Sequence, residues 1–278
     1  MRALDPRVVD AVWAAVAGLL PPPPVDEHPL GCHRPRIDDK TCFTGILIRL
    51  ALGCSWVDAG RLVGVGQATL RRRRDEWIEA QVFDLLADEA IAAYDRICEL
   101  DLSEVLIDGS QHKAPAGGEG TGKNPTDRAK LGFKWSIATD RAGVPLAWAS
   151  DGANRHDIVL LAPTLEGVLR RGLQHDIATV HLDRGYDTHT VRATLTAHHI
   201  AEAVIARRRK PSEAKTPSRP LRLGLRWAVE RTNSWLSNYG QLRRNTDRRT
   251  IHRLAQLAFA ITLIITAKLI DWHDRPNT

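Results

Sequence analysis

Cysteine is sparse in this 278-residue chain: there are four, and none stands in a C-x-x-C pair. Cys32, Cys42, Cys54 and Cys98 are too scattered for a disulfide framework, and no secretory signal precedes them, so reduced thiols in a cytoplasmic protein are expected. Cys32 and His33 lack the further ligands a zinc site needs. No complete G-x-x-x-x-G-K-[ST] loop suggests ATP use, since Asn124 follows Gly122 and Lys123, no Ser, His and Asp order suggests acyl transfer, and no internal repeat is visible. The longest apolar stretch, Leu254 to Ala267, contains Gln256 and is bounded by Arg253 and Lys268. That leaves too few residues to cross a bilayer and predicts a buried helix.

One tract is short of acids. Between Ala206 and Arg253, fourteen Lys or Arg face only Glu213, Glu230 and Asp247, a local balance of +11 against +6 for the whole chain, which leaves −5 for the remainder. A surface without a partner mixes its signs more evenly, so this tract is a candidate contact for a polyanion. With 43% hydrophobic residues the chain can also build a sizeable core.

Residues 1–99 read as a helical unit. A first helix ends at the four prolines from Pro21 to Pro24, and a second runs from about Asp39 to Leu52 with Gly53 as its stop. Ser55 with Asp58 marks the start of a short helix through Val63, Gly64 to Gly66 make a turn, and a further helix carries Arg71 to Arg74. This is the outline of a helix-turn-helix, with Arg72 and Arg73 as candidate DNA contacts. Helical bundles use the same punctuation, four consecutive arginines point around most of a helix, and residues 1–100 hold twelve bases against fifteen acids. Reading DNA and packing or dimerisation therefore both stay open for this unit.

From residue 100 to residue 278 the pattern is α/β. Strands are expected at Val105 to Asp108, Phe133 to Asp140, Val144 to Ser150, Thr179 to Leu182 and Ile200 to Ala206, with helices at Ile158 to Arg171 and Thr188 to His198. A basic loop over 206–222, a helix from Leu223 to Tyr239 and the long C-terminal helix complete the order. The fold predicted is a mixed five-stranded sheet flanked by helices, preceded by the all-α unit.

Within this frame Asp108 and Asp183 each end an apolar, strand-like run just before a glycine, so both carboxylates should emerge at strand ends. Glu230 lies in the basic helix. Hard divalent cations prefer carboxylate oxygen, and two such ions can activate a hydroxyl and stabilise a leaving oxygen across one phosphorus. Taken singly, each acid has a plainer role as a turn former or as a partner of Arg226 or Arg231. Asp187 is expected to cap the following helix. Arg226, Asn233, Ser234 and Ser237 share the face of Glu230, and their polarity suits a surface turned toward DNA and metal. Trp227 leans toward the core, whereas Trp235 could pack or stack on an unpaired base. His112, His156 and His181 read as structural hydrogen-bonding residues.

These residues carry a resemblance. Asp108-Gly109-Ser110, the run from His181 to Tyr186, and Arg226 to Arg231 with Trp235 and Leu236 look like the three acidic motifs of bacterial DDE transposases, more narrowly those of the insertion sequence five family. Asn154 to Asp157 and Arg243 with Arg244 agree with it, and the similarity spans essentially the whole chain. It implies a ribonuclease H-like catalytic domain in which Asp108, Asp183 and Glu230 bind two Mg²⁺ ions, with Mn²⁺ able to substitute. It also implies an enzyme that cuts double-stranded DNA at the terminal inverted repeats of its own element and joins the 3′ hydroxyl to target DNA, as a homodimer in the DNA complex, in the cytoplasm and on the nucleoid. Candidate DNA contacts are Arg72, Arg73, Arg207, Arg208, Arg209, Arg226, Arg231, Trp235, Arg243 and Arg244. The broader pattern has Tyr and Arg before the Glu and Lys after it. Arg226 matches, while Leu223 and Ser237 stand where Tyr and Lys are expected, with Arg231 or Arg222 as candidate substitutes. The alternatives are a metal-dependent nuclease without strand transfer and an inactive DNA-binding regulator.

Overall fold

The computed structural model describes residues 2–23, 35–206 and 223–275, with backbone alone for Arg2 and for residues 223–226. Five helices come first. α1 (Pro6–Leu19) starts at Asp5, whose carboxylate accepts the Arg7 N–H at 3.0 Å, with Pro6 at the first position, where no amide hydrogen is missed. α2 (Asp39–Leu52) is capped by Asp38 and ends at Gly53, which takes the left-handed conformation (φ +70°) that a side chain would strain. α3 (Trp56–Val63) is capped by Ser55, as the sequence predicts, and the Gly64 turn leads into α4 (Gln67–Glu79) and α5 (Val82–Cys98).

Consecutive residues on a helix are about 100° apart, so four arginines in a row cannot all face water. Arg71 and Arg72 are exposed, whereas Arg73 and Arg74 are buried. Arg73 pairs with Asp39 and donates to the Ile37 carbonyl. Arg74 and Arg49 both bind the buried Asp247, at 3.1 and 3.0 Å, and both guanidinium groups stack over Trp56. The bases of residues 1–100 are thus partly spent inside the protein, which corrects the assignment of Arg73 as a surface DNA contact.

The sheet contains β1 (Glu104–Lys113), β2 (Gly122–Lys123), β3 (Leu131–Thr139), β4 (Pro145–Gly152), β5 (Thr179–Leu182) and β6 (Ala203–Ile205). Its main order is β4-β3-β1-β5-β6, with the two-residue β2 beside the start of β3. β3 runs antiparallel to β1 and β4, whereas β1, β5 and β6 are mutually parallel. The mixed sheet expected from the sequence is present, with β2 as a small addition.

Alternation along the strands separates two cores. Val105, Ile107, Ala138, Val180 and Leu182 pack with α6 (Asp157–Arg170) and α7 (His189–Ala197). Phe133, Trp135 and Ile137 point the other way and join α1 to α5, α8 (Leu223–Ser237), α9 (Gly240–Arg243) and α10 (Thr250–His273) in one continuous core. Phe259 of α10 lies 5.5 Å from Phe43 and 5.4 Å from Phe83, so the C-terminal helix is the hub of the N-terminal helices. α10 spans 24 residues, longer than the apolar run suggests and sufficient in length and composition to cross a bilayer. Its most apolar part is 61% buried inside the protein, which is the core role the sequence predicts.

Candidate active site

Asp108 lies in the middle of β1, opposite Ile137 of β3. The expected turn at Gly109 does not occur, because Gly109 stays in the ladder opposite Ser136 and pairing continues to Lys113. The missing side chain serves a close approach instead: a Cβ on Gly109 would stand 2.7 Å from Asp157 Oδ1. Asp183 does sit at a strand end. β5 stops at Leu182, and the Asp183 carboxylate accepts the Gly185 N–H at 2.7 Å, starting a 3-10 turn over Arg184–Tyr186.

The parallel register pairs Glu104 with Thr179 and Leu106 with His181. The ladder ends there, with Asp108 two residues further along β1 and Asp183 two residues further on, just past the end of β5, so both acids leave the same end of this strand pair, and both act on the Tyr186 phenol. Glu104, Leu106 and Asp108 share one face, where Leu106 packs beneath Ala228 and Val229 of α8. Further along that face, the Trp135 indole donates to Asn233 Oδ1 at 2.9 Å. α8 is therefore fastened to the sheet on either side of the level of Asp108, and Glu230, between Val229 and Asn233, rides on the stretch in between with its side chain exposed. The donor chemistry suits a hard divalent cation. Among the described residues, however, no three His, Cys, Asp or Glu side chains gather into a ready-made metal-holding group. The acids share a face and an edge rather than a closed cage.

Around them lie groups with no role assigned from the sequence. Lys134, 2% exposed, donates to Asp157 Oδ1 at 2.8 Å. Tyr186 is 1% exposed, and its phenol oxygen lies at the Ser136 hydroxyl with no further partner. Burial pushes that phenol well above its ordinary range, and the carboxylates of Asp157, Asp108 and Asp183 push it further. These side chains come from β1, β3, α6 and the turn after β5, a convergence that spacing alone does not reveal.

The transposase DDE domain family matches residues 99–266, more than half of the chain. The chain belongs to the DDE transposases. A family of IS4/5 transposases matches residues 8–87, in agreement with the narrower resemblance to insertion sequence five. A relative assigned as the transposase for insertion sequence element IS402 of Burkholderia cepacia is 40% identical over 134 residues, 46% of this chain and 60% of the relative. An uncharacterised 16.2 kDa protein of insertion element IS402 from the same organism is 32% identical over 122 residues, 43% of this chain and 82% of that one. This DDE transposase chain thus spans 60% of the length of the first of these relatives. Among solved structures, the Mos1 transposase paired-end complex with left transposon end is 12% identical with a TM-score of 0.27, covering 88% of this chain and 82% of the other. The Mos1 mariner paired-end complex with Mn covers the same shares at a TM-score of 0.28 and 12% identity, likewise too slight a likeness to bear on the site.

The remaining candidate residues of this DDE transposase fall into three groups. Arg72, Arg243 and Arg244 are exposed, as a DNA contact requires. Arg207, Arg208 and Arg209, like Arg222, lie outside the described residues, and Arg226 is described only as a helical backbone position. Arg231 is turned to internal use: its guanidinium sits 4.0 Å over Trp227 and 4.7 Å over Trp235 and donates to the Ala142 carbonyl at 2.6 Å. Trp235 is accordingly half-buried, with Lys268 also over its ring at 5.0 Å, while Trp227, expected in the core, is 51% exposed.

The polar face expected around Glu230 divides in the same way. Asn233 is buried against Trp135, and the Ser237 hydroxyl donates to the Asn233 carbonyl at 2.7 Å within its own helix. Thr188, not Asp187, caps α7, and Asp187 instead pairs with Arg192 at 2.8 Å. The histidines behave structurally. His112 stacks 3.6 Å from Trp135, His181 hydrogen-bonds Glu104, and His156 precedes α6 without capping it through its side chain.

Proposed function

We propose that this chain is a transposase that cuts double-stranded DNA at the terminal inverted repeats of its own insertion sequence and joins the freed 3′ hydroxyl to target DNA. The observation that carries this reading is the placing of Asp108 on β1 and Asp183 just past the end of the parallel β5, beneath the helix of Glu230, in a chain of the DDE transposase family. Family membership implies a divalent cation, and the reading here is two Mg²⁺ ions, with Mn²⁺ as a substitute. Asp108 and Asp183 would hold them, with Glu230 completing the set from the overhanging helix. When bound, such a pair activates the attacking water or hydroxyl and stabilises the leaving oxygen.

The chain's own residues do the rest. Exposed Arg72, Arg243 and Arg244, with Arg207 to Arg209, supply cations for the phosphate backbone, a contact independent of base sequence. Lys134 and Tyr186 back the acids from inside the sheet. Residues 1–99 are assigned as the helical DNA-contacting and packing unit and residues 100–278 as the catalytic domain. Handling two DNA ends calls for a homodimer in the complex, working in the cytoplasm on the nucleoid.

Incubating the purified chain with its element's end sequence, with and without Mg²⁺, and reading products at nucleotide resolution tests this. Cleavage at the element boundary that requires the cation, followed by joining of a pre-cut 3′ end, is expected. Cleavage without joining would reduce the protein to a nuclease, and binding without cleavage to a regulator.

A further inference from the structure

Asp157 opens α6 on the far side of β1, and one of its carboxylate oxygens touches two things at once. Oδ1 accepts from Lys134 Nζ at 2.8 Å, and the same oxygen fills the space where a Cβ on Gly109, next in the chain to Asp108, would stand. A lysine buried to 2% exposure is costly without a counter-charge, so Lys134 pins the Asp157 carboxylate, and Asp157 in turn abuts the backbone that carries Asp108. Tyr186, three residues after Asp183, brings a second element to the same spot. Its buried hydroxyl lies at the Ser136 hydroxyl of β3, opposite Gly109, and neither hydroxyl has a further partner. Two buried hydroxyl groups with only each other keep hydrogen-bonding capacity to spare, and a phenol among carboxylates can turn its O–H to one of them or to a water they bind. Its surroundings agree, since Asp157 is the strongest of the three carboxylates acting on the phenol, ahead of Asp108 and Asp183.

We propose that Asp157 is a fourth carboxylate of the acidic site, a positioning residue fixed by Lys134 and supported by the Tyr186 hydroxyl, which orients Asp108 and Asp183 for cation binding. The proposal rests on the metal-binding role given above to Asp108 and Asp183. Partners placed just behind metal ligands orient those ligands and raise their basicity. Asp157 combines a full charge with a close approach to Gly109, the residue after one ligand, while Tyr186 is tied to the other ligand through three residues of chain.

The test is a titration of the full chain with Mn²⁺, free Mn²⁺ being read by electron paramagnetic resonance, alongside thermal unfolding. Asp157→Asn keeps an acceptor for Lys134 and removes the charge, and it should weaken Mn²⁺ binding roughly tenfold to a hundredfold. Wild-type affinity in D157N, with binding lost in D108N, overturns the role of Asp157 and leaves the metal-site reading standing. Wild-type affinity in D108N as well brings down the metal-site reading and this inference with it. A lowered melting temperature with unchanged affinity marks Asp157 as a structural anchor only, which also overturns the proposal. Should D157N fail to fold, Tyr186→Phe decides: it deletes only the buried hydroxyl beside Ser136, so weaker Mn²⁺ binding at undiminished stability supports the proposal, and unchanged binding overturns it.

Discussion

Asn233, one helical turn beyond Glu230, accepts the indole N–H of Trp135 at 2.9 Å, and this bond ties the helix of the third acid to the strand beside the first. Trp135 is fully buried, so Asn233→Ala would leave an indole N–H without a partner. The expected cost is about 1–3 kcal/mol, seen as a lower midpoint in urea unfolding, together with a loss of cleavage as α8 loosens. Unchanged stability would show that α8 is held by its apolar contacts alone.

Asp247 is the counter-charge for two buried guanidinium groups, Arg49 and Arg74, and accepts from Gln256 as well. Those two arginines hold its carboxyl below the usual carboxylate range although burial alone would raise it. Asp247→Ala strands both cations and should destabilise the chain by about 3–5 kcal/mol in thermal or urea unfolding. Because α2, α4 and α10 all attach here, the N-terminal helices and the C-terminal helix should melt as one unit.

Two buried groups give opposite responses to pH. Burial pushes the His112 imidazole down to about 3, whereas an unfolded histidine titrates near about 6.5. Between those limits only the unfolded chain takes up this proton, so stability falls as pH drops, by up to about 1.4 kcal/mol per unit. Burial raises Asp140 to about 6, against about 4 when unfolded, so in that window the folded state keeps the proton and stability falls as pH rises. Urea unfolding across this range should show a smaller acid loss in His112→Phe and a smaller loss on raising the pH in Asp140→Asn. Parallel curves for wild type and both variants would contradict the assignment.

Trp227 is half exposed, stacked on one face by Arg231, and three residues before Glu230. Trp227→Ala should shift stability by no more than about 0.5 kcal/mol. If the ring stacks on an unpaired base at the cut end, the variant should lose about 1–3 kcal/mol of affinity for a DNA end with a single-stranded overhang and little for a blunt duplex. Equal loss on both substrates would argue against stacking.

Much of this was legible in the sequence. The helix boundaries around Gly53, Ser55 and Gly64 follow from caps and left-handed stops, which are local chemistry. The strands follow from apolar alternation, and three acids in strand, strand and helix outline the site. Three features were hidden because they depend on what lies across the fold. Gly109 resembled a turn residue, yet it serves the approach of Asp157 from 48 positions away. Arg73 and Arg231 are candidate surface cations in the sequence, but Asp39 and a pair of tryptophans claim them. Tyr186 closes the run that begins at His181, yet its place among the acids appears only once β1, β3 and the turn after β5 are assembled.

The central claim is that Asp108, Asp183 and Glu230 hold the divalent cations that cut DNA. Anomalous diffraction from crystals of the chain bound to its element's end and soaked in Mn²⁺ tests it most directly. The account predicts anomalous peaks within about 2.0–2.5 Å of carboxylate oxygens of Asp108 and Asp183, with Glu230 drawn in as a further ligand. Peaks elsewhere, or none at these carboxylates in a complex that cleaves its DNA, would contradict it.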